Sequence, residues 1–376
     1  MTLYLDANAT TPLDPRVQAE IVRCFEQEFG NAGSPHRFGR EAKRTVHRAR
    51  DQIAAAVGVR RHEVIFTSGA TESNNLAILG LAAHGQAVGK RHLVSTQIEH
   101  RAVLEPLQHL QQQGFDLTLI PPASTGQVVA EDILKAVRED TLLVSVMHVN
   151  NETGICQPIR EIADGLADRQ VLFHVDAAQG FGKRNADLTH ERIDLISISS
   201  HKIHGPQGVG ALVTRRRRGD LPPLKPLMYG GGQEFGLRPG TLPVSLIAGF
   251  GLAAELANQE AEIRSTHCKE LRAMFLEQLR PLGFTIHGCP DLALPHVVNV
   301  SFPGWSAEEV IEALDDVAAV SDGSACTSVC ATASHVLTAM GIRPPEIDGA
   351  VRISWSHLTR PDQLVSAADE LRQRLT

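Results

Sequence analysis

Val64-Ile65-Phe66-Thr67-Ser68-Gly69-Ala70-Thr71-Glu72-Ser73-Asn74-Asn75 joins an apolar β-branched run, a turn of small residues and the start of an apolar helical stretch. Small residues at a strand-to-helix turn free backbone N–H groups, and the helix N-terminus adds partial positive charge, so this turn suits a phosphate. An ordinary turn capped by Thr71 or Ser73 would look the same. Outward from it, β-branched runs alternate with amphipathic stretches: Val64–Thr67, Leu93–Ser95, Leu117–Ile120, Leu142–Met147, Val171–Val175, Ile193–Ile198 and Val209–Val213. Helical patterns fill the gaps, among them Ala102–Gln112, Glu131–Val137 and Ile159–Ala167. The alternation predicts an α/β fold, a mainly parallel seven-stranded sheet with helices on both faces and ligands at the carboxyl ends of its strands.

Beyond the last of these strands the pattern changes. Leu221 to Gly240 is rich in Pro and Gly, and a helical stretch around Leu252 to Leu279 follows. A strand at Val297–Phe302, a helix at Ala307–Leu314, a strand at Val351–Ser354 and a helix after Pro361 predict a smaller α+β lobe.

Composition narrows the class. The 376 residues are 43% apolar and 21% charged, which excludes disordered, collagen-like and disulfide-framework chains. Apolar stretches such as Leu76–Ala83 and Leu246–Ala254 fall short of the ~18 residues that suggest a membrane span. Asp6 stands where an export signal would be basic or apolar, so a cytoplasmic location is expected. A net charge of −7 argues against direct nucleic-acid binding. The run Arg215 to Arg218 is the exception; it reads as a solvated turn after a strand, or as a patch for an acidic partner or nucleic acid. Six cysteines scattered through the chain (Cys24, Cys156, Cys268, Cys289, Cys326 and Cys330) read as reduced thiols. No paired ligand clusters with zinc spacing occur, and no metal site is expected.

His174-Val175-Asp176-Ala177-Ala178-Gln179 ends one strand, and Ser199-Ser200-His201-Lys202 ends the next. A carboxylate and a lysine at neighbouring strand ends would meet in one crevice, as a structural ion pair or as a site where the amine forms a Schiff base. The phosphate-type turn tips the balance, because pyridoxal phosphate needs a cradle, a pyridinium partner and an amine.

With these motifs go Tyr4-Leu5-Asp6-Ala7-Asn8-Ala9-Thr10-Thr11-Pro12, His148-Val149-Asn150-Asn151-Glu152-Thr153-Gly154, Ser200-His201-Lys202-Ile203-His204-Gly205-Pro206 and Gly323-Ser324-Ala325-Cys326-Thr327-Ser328. Together, in this order over nearly the whole chain, they resemble the NifS/IscS-like cysteine desulfurases, in the long-loop subgroup of the class V aminotransferases. The resemblance implies pyridoxal-phosphate fold type I. It further implies a cofactor lobe at residues 13–258 and a small lobe built from residues 1–12 with 259–376.

It also implies roles. Lys202 would hold pyridoxal 5'-phosphate covalently, Asp176 would pair with its pyridine nitrogen, and Gln179 would bond the phenolic oxygen. Asn151 would sit beside cofactor and substrate, a better choice than its neighbour Asn150. His100 would stack on the ring and shuttle protons. Ala70, Thr71, Ser199 and His201 would hold the phosphate, with Thr241 donated by the second subunit of a homodimer. Arg352 would clamp the carboxylate of L-cysteine. Cys326 would attack the substrate sulfur, leaving L-alanine and a persulfide for a sulfur-acceptor protein of iron–sulfur cluster assembly, tRNA thiolation or DNA phosphorothioation.

The chain also departs from the subgroup. Pro239 replaces a common Ser near Thr241, and a proline donates no backbone N–H. Trp355-Ser356-His357 after the arginine differs from the usual pattern. Cys330 follows the nucleophile by four residues; it reads as a small side chain, or as a thiol that resolves the persulfide. A selenocysteine lyase or an aminotransferase of the same fold, and a non-catalytic sulfur scaffold, are the competing readings. Cys326 speaks against an aminotransferase, and Lys202 with Asp176 against a scaffold.

Overall fold

In a computed structural model of the chain, residues 2–217, 219–322 and 333–376 are described; Arg218, Cys326 and Cys330 lie outside them. The described strands are β1 (Leu3–Tyr4), β2 (Val64–Thr67), β3 (His92–Thr96), β4 (Asp116–Ile120), β5 (Thr141–Met147), β6 (Leu172–Asp176), β7 (Leu195–Ser199), β8 (Gly210–Thr214), β9 (Thr285–Ile286), β10 (Val297–Ser301), β11 (Ala318–Ala319) and β12 (Ala350–Ser354). Seven form one sheet in the order β2-β8-β7-β6-β5-β3-β4. From β7 to β4 the pairing is parallel throughout, and β8 runs antiparallel to both β2 and β7.

Burial explains why the strands read as continuous apolar runs. Every residue of β2, β3, β5, β7 and β8 is buried, as expected for a sheet covered on both faces. Alternate side chains feed opposite cores: Phe66 packs with Val46, Ile53 and Phe250, whereas Ile65 packs with Leu76, Leu107 and Leu212. The helix Arg37–Val57 supplies the first core from Ala42, Val46, Ala49 and Ile53, a helical spacing, and stops at Gly58 with φ +67°.

A separate core gathers Leu5 with Leu271, Phe275, Val298, Val300, Ile353 and Trp355. It lies around the antiparallel sheet β12-β10-β9 and the helices Ala261–Leu279 and Pro361–Arg374. Trp355, fully buried, donates its indole N–H to the Cys268 carbonyl at 3.2 Å. The β1 strand pairs in parallel with β11, which carries residues from the far N-terminal side into this region.

Two expectations change. The stretch Leu252–Leu279 belongs to two helices, Val244–Gln259 and Ala261–Leu279. They part at Glu260, whose carboxylate is taken by Arg16 at 2.5 Å and Arg264 at 2.8 Å. Arg215 is no solvated turn residue. It is buried and donates to the carbonyls of Val57, Leu188 and Ile193, while Arg217 donates to those of Arg169 and Val171. Of the thiols, Cys24, Cys156 and Cys268 are buried, but Cys289 is half-buried; all four are free.

The segment Leu221–Gly240 contains one short turn of helix, Glu234–Gly236. Buried Arg50 grips the Glu234 carboxylate, which also accepts the Phe66 N–H at 2.6 Å. Glu234 and Phe235 both sit at positive φ, +52° and +59°. Left-handed backbone costs about 1–2 kcal/mol for each such residue, and the buried ion pair offsets it.

Candidate active site

A cleft of about 570 Å³ opens at the carboxyl ends of β5, β6 and β7. Ala70, Thr71, His100, Asn151, Asp176, Gln179, Ser199, His201, Lys202 and Arg352, ten residues singled out from the sequence, all line it. Thr241 is not among the lining residues, and Cys326 lies outside the described residues.

At one end the helix Ala70–Leu79 begins after Gly69 with no side-chain cap, so neither Thr71 nor Ser73 satisfies its N-terminus. The first N–H groups of a helix have no partner within it, and they face the cleft together with Ser199 and His201. Burial and the neighbouring Lys202 push the His201 imidazole down to about 4, so it is a neutral donor or acceptor near pH 7. Its Nδ1 lies 3.1 Å from Thr10 Oγ1, which fixes the ring. Gly210 on β8 is required behind this turn, because a Cβ there would meet the Gly69 Cα at 2.6 Å.

In the middle, Asp176 is buried at the end of β6. Its Oδ2 accepts from Asn74 Nδ2 at 2.7 Å and its Oδ1 from the Ala178 N–H at 3.0 Å. Asn74 Oδ1 is buried without a partner among the described residues. Behind the strand, His174 bridges Ser145 and Ser197 at 2.8 and 2.9 Å; burial holds its ring neutral, down to about 3. Lys202 donates from Nζ to the carbonyls of Asn8 at 2.6 Å and Ala9 at 2.8 Å. Gln179 donates to the same Asn8 carbonyl at 2.8 Å.

His100 caps the helix Arg101–Gln112: Nδ1 accepts the Ala102 N–H at 3.1 Å. That contact assigns the proton of the neutral ring to Nε2. The adjacent Glu99 is fully buried and accepts from Thr96 Oγ1 and the Met147 N–H, each at 2.8 Å. Burial pushes its carboxyl up to about 8, and the negative charge of Asp176 adds to the rise.

At the far end, β12 presents Arg352, buried to 4% exposure. Its guanidinium donates to Asp6 Oδ1 at 2.7 Å and to the Asn151 carbonyl at 3.1 Å, while Nε, itself buried, has no partner among the described residues. Such a preset guanidinium presents its remaining donors to a carboxylate. Asn150, by contrast, is structural: its Oδ1 accepts the N–H groups of Glu152 and Thr153, both at 2.9 Å, and shapes the turn that aims Asn151.

Sequence reasoning assigned no role to Asp6, Asn8, Asn74, Glu99 or Glu152. All except Glu99 stand inside quoted motifs, but Asn8 acts through its backbone carbonyl, which no side-chain pattern reveals. Glu99 had one signal, an acid beside the candidate His100 at a strand end.

Comparison with known proteins agrees with this layout. Residues 3–364 match the class-V aminotransferase family. The chain is 41% identical, over all of its length and 93% of the relative's, to the cysteine desulfurase IscS of Vibrio campbellii. Among solved structures, a NifS-like protein superposes with a TM-score of 0.92 at 36% identity, covering 99% of both chains. DndA from Streptomyces lividans superposes with a TM-score of 0.83 at 46% identity, covering 94% of this chain and 99% of that one.

Proposed function

The chain belongs to the class-V aminotransferase family and is a cysteine desulfurase dependent on pyridoxal phosphate, and from that premise we propose which residues carry the reaction. The observation behind this reading is that one cleft gathers an uncapped helix N-terminus, the carboxylate of Asp176, the amine of Lys202 and the guanidinium of Arg352. That set of groups fits the cofactor. The uncapped turn at Ala70 and Thr71 suits its phosphate, and the Asp176 carboxylate, itself held by Asn74, suits a protonated pyridine nitrogen. Gln179 would hydrogen-bond the phenolic oxygen.

When bound, the cofactor supplies an electron-withdrawing ring that lets the Cα–H bond of an attached amino acid ionise. Lys202 Nζ, braced by the Asn8 and Ala9 carbonyls, holds the cofactor and carries the Cα proton. Arg352 binds the α-carboxylate of L-cysteine, with Asn151 beside it. His100, which lines the same cleft, is the second proton carrier. The Cys326 thiolate attacks the substrate sulfur; the S–S bond forms as Cβ–S breaks, and the protonated carbon skeleton leaves as L-alanine. The persulfide passes to an acceptor protein of iron–sulfur cluster assembly, tRNA thiolation or DNA phosphorothioation, in the cytoplasm.

We take the cofactor lobe as residues 13–258 and the small lobe as 1–12 with 259–376, in keeping with the separate core around Leu5 and Trp355. The working unit is a homodimer. Phe25, Phe29, Tyr229 and Phe235 are 62%, 69%, 88% and 63% exposed, an apolar display that a partner subunit would cover. Thr241 then completes the partner's phosphate site, in a segment tied to its own subunit by Arg238 and Glu72 at 2.8 Å.

The test is direct. Purified protein given L-cysteine and a reductant should release sulfide and alanine in equal amounts. Cys326→Ser should abolish both products and leave the cofactor's visible absorbance in place; normal turnover by this variant would overturn the mechanism.

A further inference from the structure

We propose that Glu152 is a positioning residue for sulfur transfer, holding the chain that follows residues 323–332, through Ser334, in register with the arginine that binds the substrate carboxylate. The inference rests on the roles given above to Cys326 and Arg352.

Glu152 lies in the turn after β5, buried to 3% exposure although nothing in the cofactor site requires a carboxyl group there. The turn is rigid. Asn150 Oδ1 takes three donors, the N–H groups of Glu152 and Thr153 and the Thr153 hydroxyl. One residue of this turn, Asn151, offers its carbonyl to Arg352. The next, Glu152, accepts from Ser334 Oγ at 2.5 Å. Ser334 lies at the start of the chain that follows residues 323–332, and its hydroxyl also accepts the Leu337 N–H at 3.1 Å.

The preceding side is tied to the same place. Ser321 exchanges two backbone hydrogen bonds with Arg352, N–H to O at 3.2 Å and O from N–H at 2.6 Å. Asp322, Arg352 and His100 all act electrostatically on Glu152. The Glu152 carboxylate thus bonds Ser334 and lies within electrostatic reach of Asp322, Arg352 and His100. Arg352 is bonded to Asn151 and Ser334 to Glu152, consecutive residues of one turn, so a displacement of Ser334 bears on the seat of Arg352.

Opposing influences leave the Glu152 carboxyl raised to about 7: burial raises it most and Asp322 adds to the rise, while Ser334, Arg352 and His100 lower it. A substrate carboxylate on Arg352 would weaken the arginine's pull and favour the neutral form, which relieves the repulsion toward Asp322.

The experiment compares holoenzymes of Glu152→Ala, Glu152→Gln and Ser334→Ala. Alanine formation should fall roughly ten- to thirtyfold in kcat for Glu152→Ala and Ser334→Ala, with KM for L-cysteine moved less than about threefold and the cofactor absorbance unchanged. Glu152→Gln, whose amide oxygen still accepts from Ser334, should keep kcat within about threefold but flatten its pH profile around pH 7. Wild-type kcat in Glu152→Ala, a loss confined to KM, or a Glu152→Gln enzyme as slow as Glu152→Ala would overturn the proposal. Should Glu152→Ala fail to fold, Ser334→Ala decides by the same kcat criterion. Absence of alanine with the wild type, or full turnover by Cys326→Ser, would instead overturn the desulfurase mechanism, and residue 152 has no part in either result.

Discussion

The two ends of the cleft are built differently. At the cofactor end, Asp176, Ser199 and Lys202 stand at or just past the ends of adjacent parallel strands, so sheet topology alone brings them together. At the substrate end, Asp6, Asn151, Ser321 and Arg352 come from four distant parts of the chain, and individual hydrogen bonds hold them. Topology tolerates the loss of one side chain; a site stitched by hydrogen bonds does not. Substitutions at the first end should therefore remove chemistry and spare geometry, and those at the second should disturb binding and positioning together.

The sharpest trial of that contrast is Lys202→Ala. Alanine formation should drop by on the order of 10³-fold or more, with loss of the covalently held cofactor's absorbance, while the thermal midpoint without cofactor stays near the wild type's. At the other end, Arg352→Lys keeps the charge but cannot bridge Asp6, the Asn151 carbonyl and a carboxylate at once. A fall of about 10²-fold in kcat/KM, mostly through KM, is expected from steady-state assays, in keeping with about 1.5–3 kcal/mol for hydrogen bonds to charged groups. Asn74→Ala should weaken retention of the cofactor by roughly tenfold, read by titrating cofactor into the stripped protein, because it frees one oxygen of Asp176. Unchanged affinity would mean that strand-end placement suffices without the Asn74 contact.

The smallest effect concerns stability. Glu99, buried between the strand ends, holds its proton up to about pH 8, whereas the unfolded chain releases it in the ordinary carboxylate range. The folded state thus binds more protons across that window, and stability falls as pH rises from about 5 to about 8. Glu99→Gln should reduce this fall, measured as the difference in urea midpoint between the two pH values; an undiminished fall would place its origin elsewhere.

The same contrast decides what the sequence could reveal. Strand-end residues announce themselves, since an apolar run followed by a polar motif marks both the strand and its functional tip, as at Val175-Asp176 and Ser199-Lys202. Arg352 was found only through family resemblance, because a lone arginine in Val351-Arg352-Ile353-Ser354 carries no periodic signal. Asp6 and Asn8 work across more than a hundred residues of chain, the latter through a carbonyl. Arg215 was misread because a run of like charges normally faces solvent, whereas here unsatisfied carbonyls at the ends of buried elements draw the guanidinium inward. The break at Glu260 escaped notice since no Gly or Pro marks it; two arginines do the work.

The Asp6–Arg352 pair spans 346 positions, which sets a clock on synthesis. At about 5–20 residues per second, Asp6 waits roughly 20–70 s on the ribosome before its partner is made. During that interval the helix-covered sheet can form, but Arg352 has not been made to bind a carboxylate. The nascent chain can thus assemble its cofactor cradle well before it can take up the substrate.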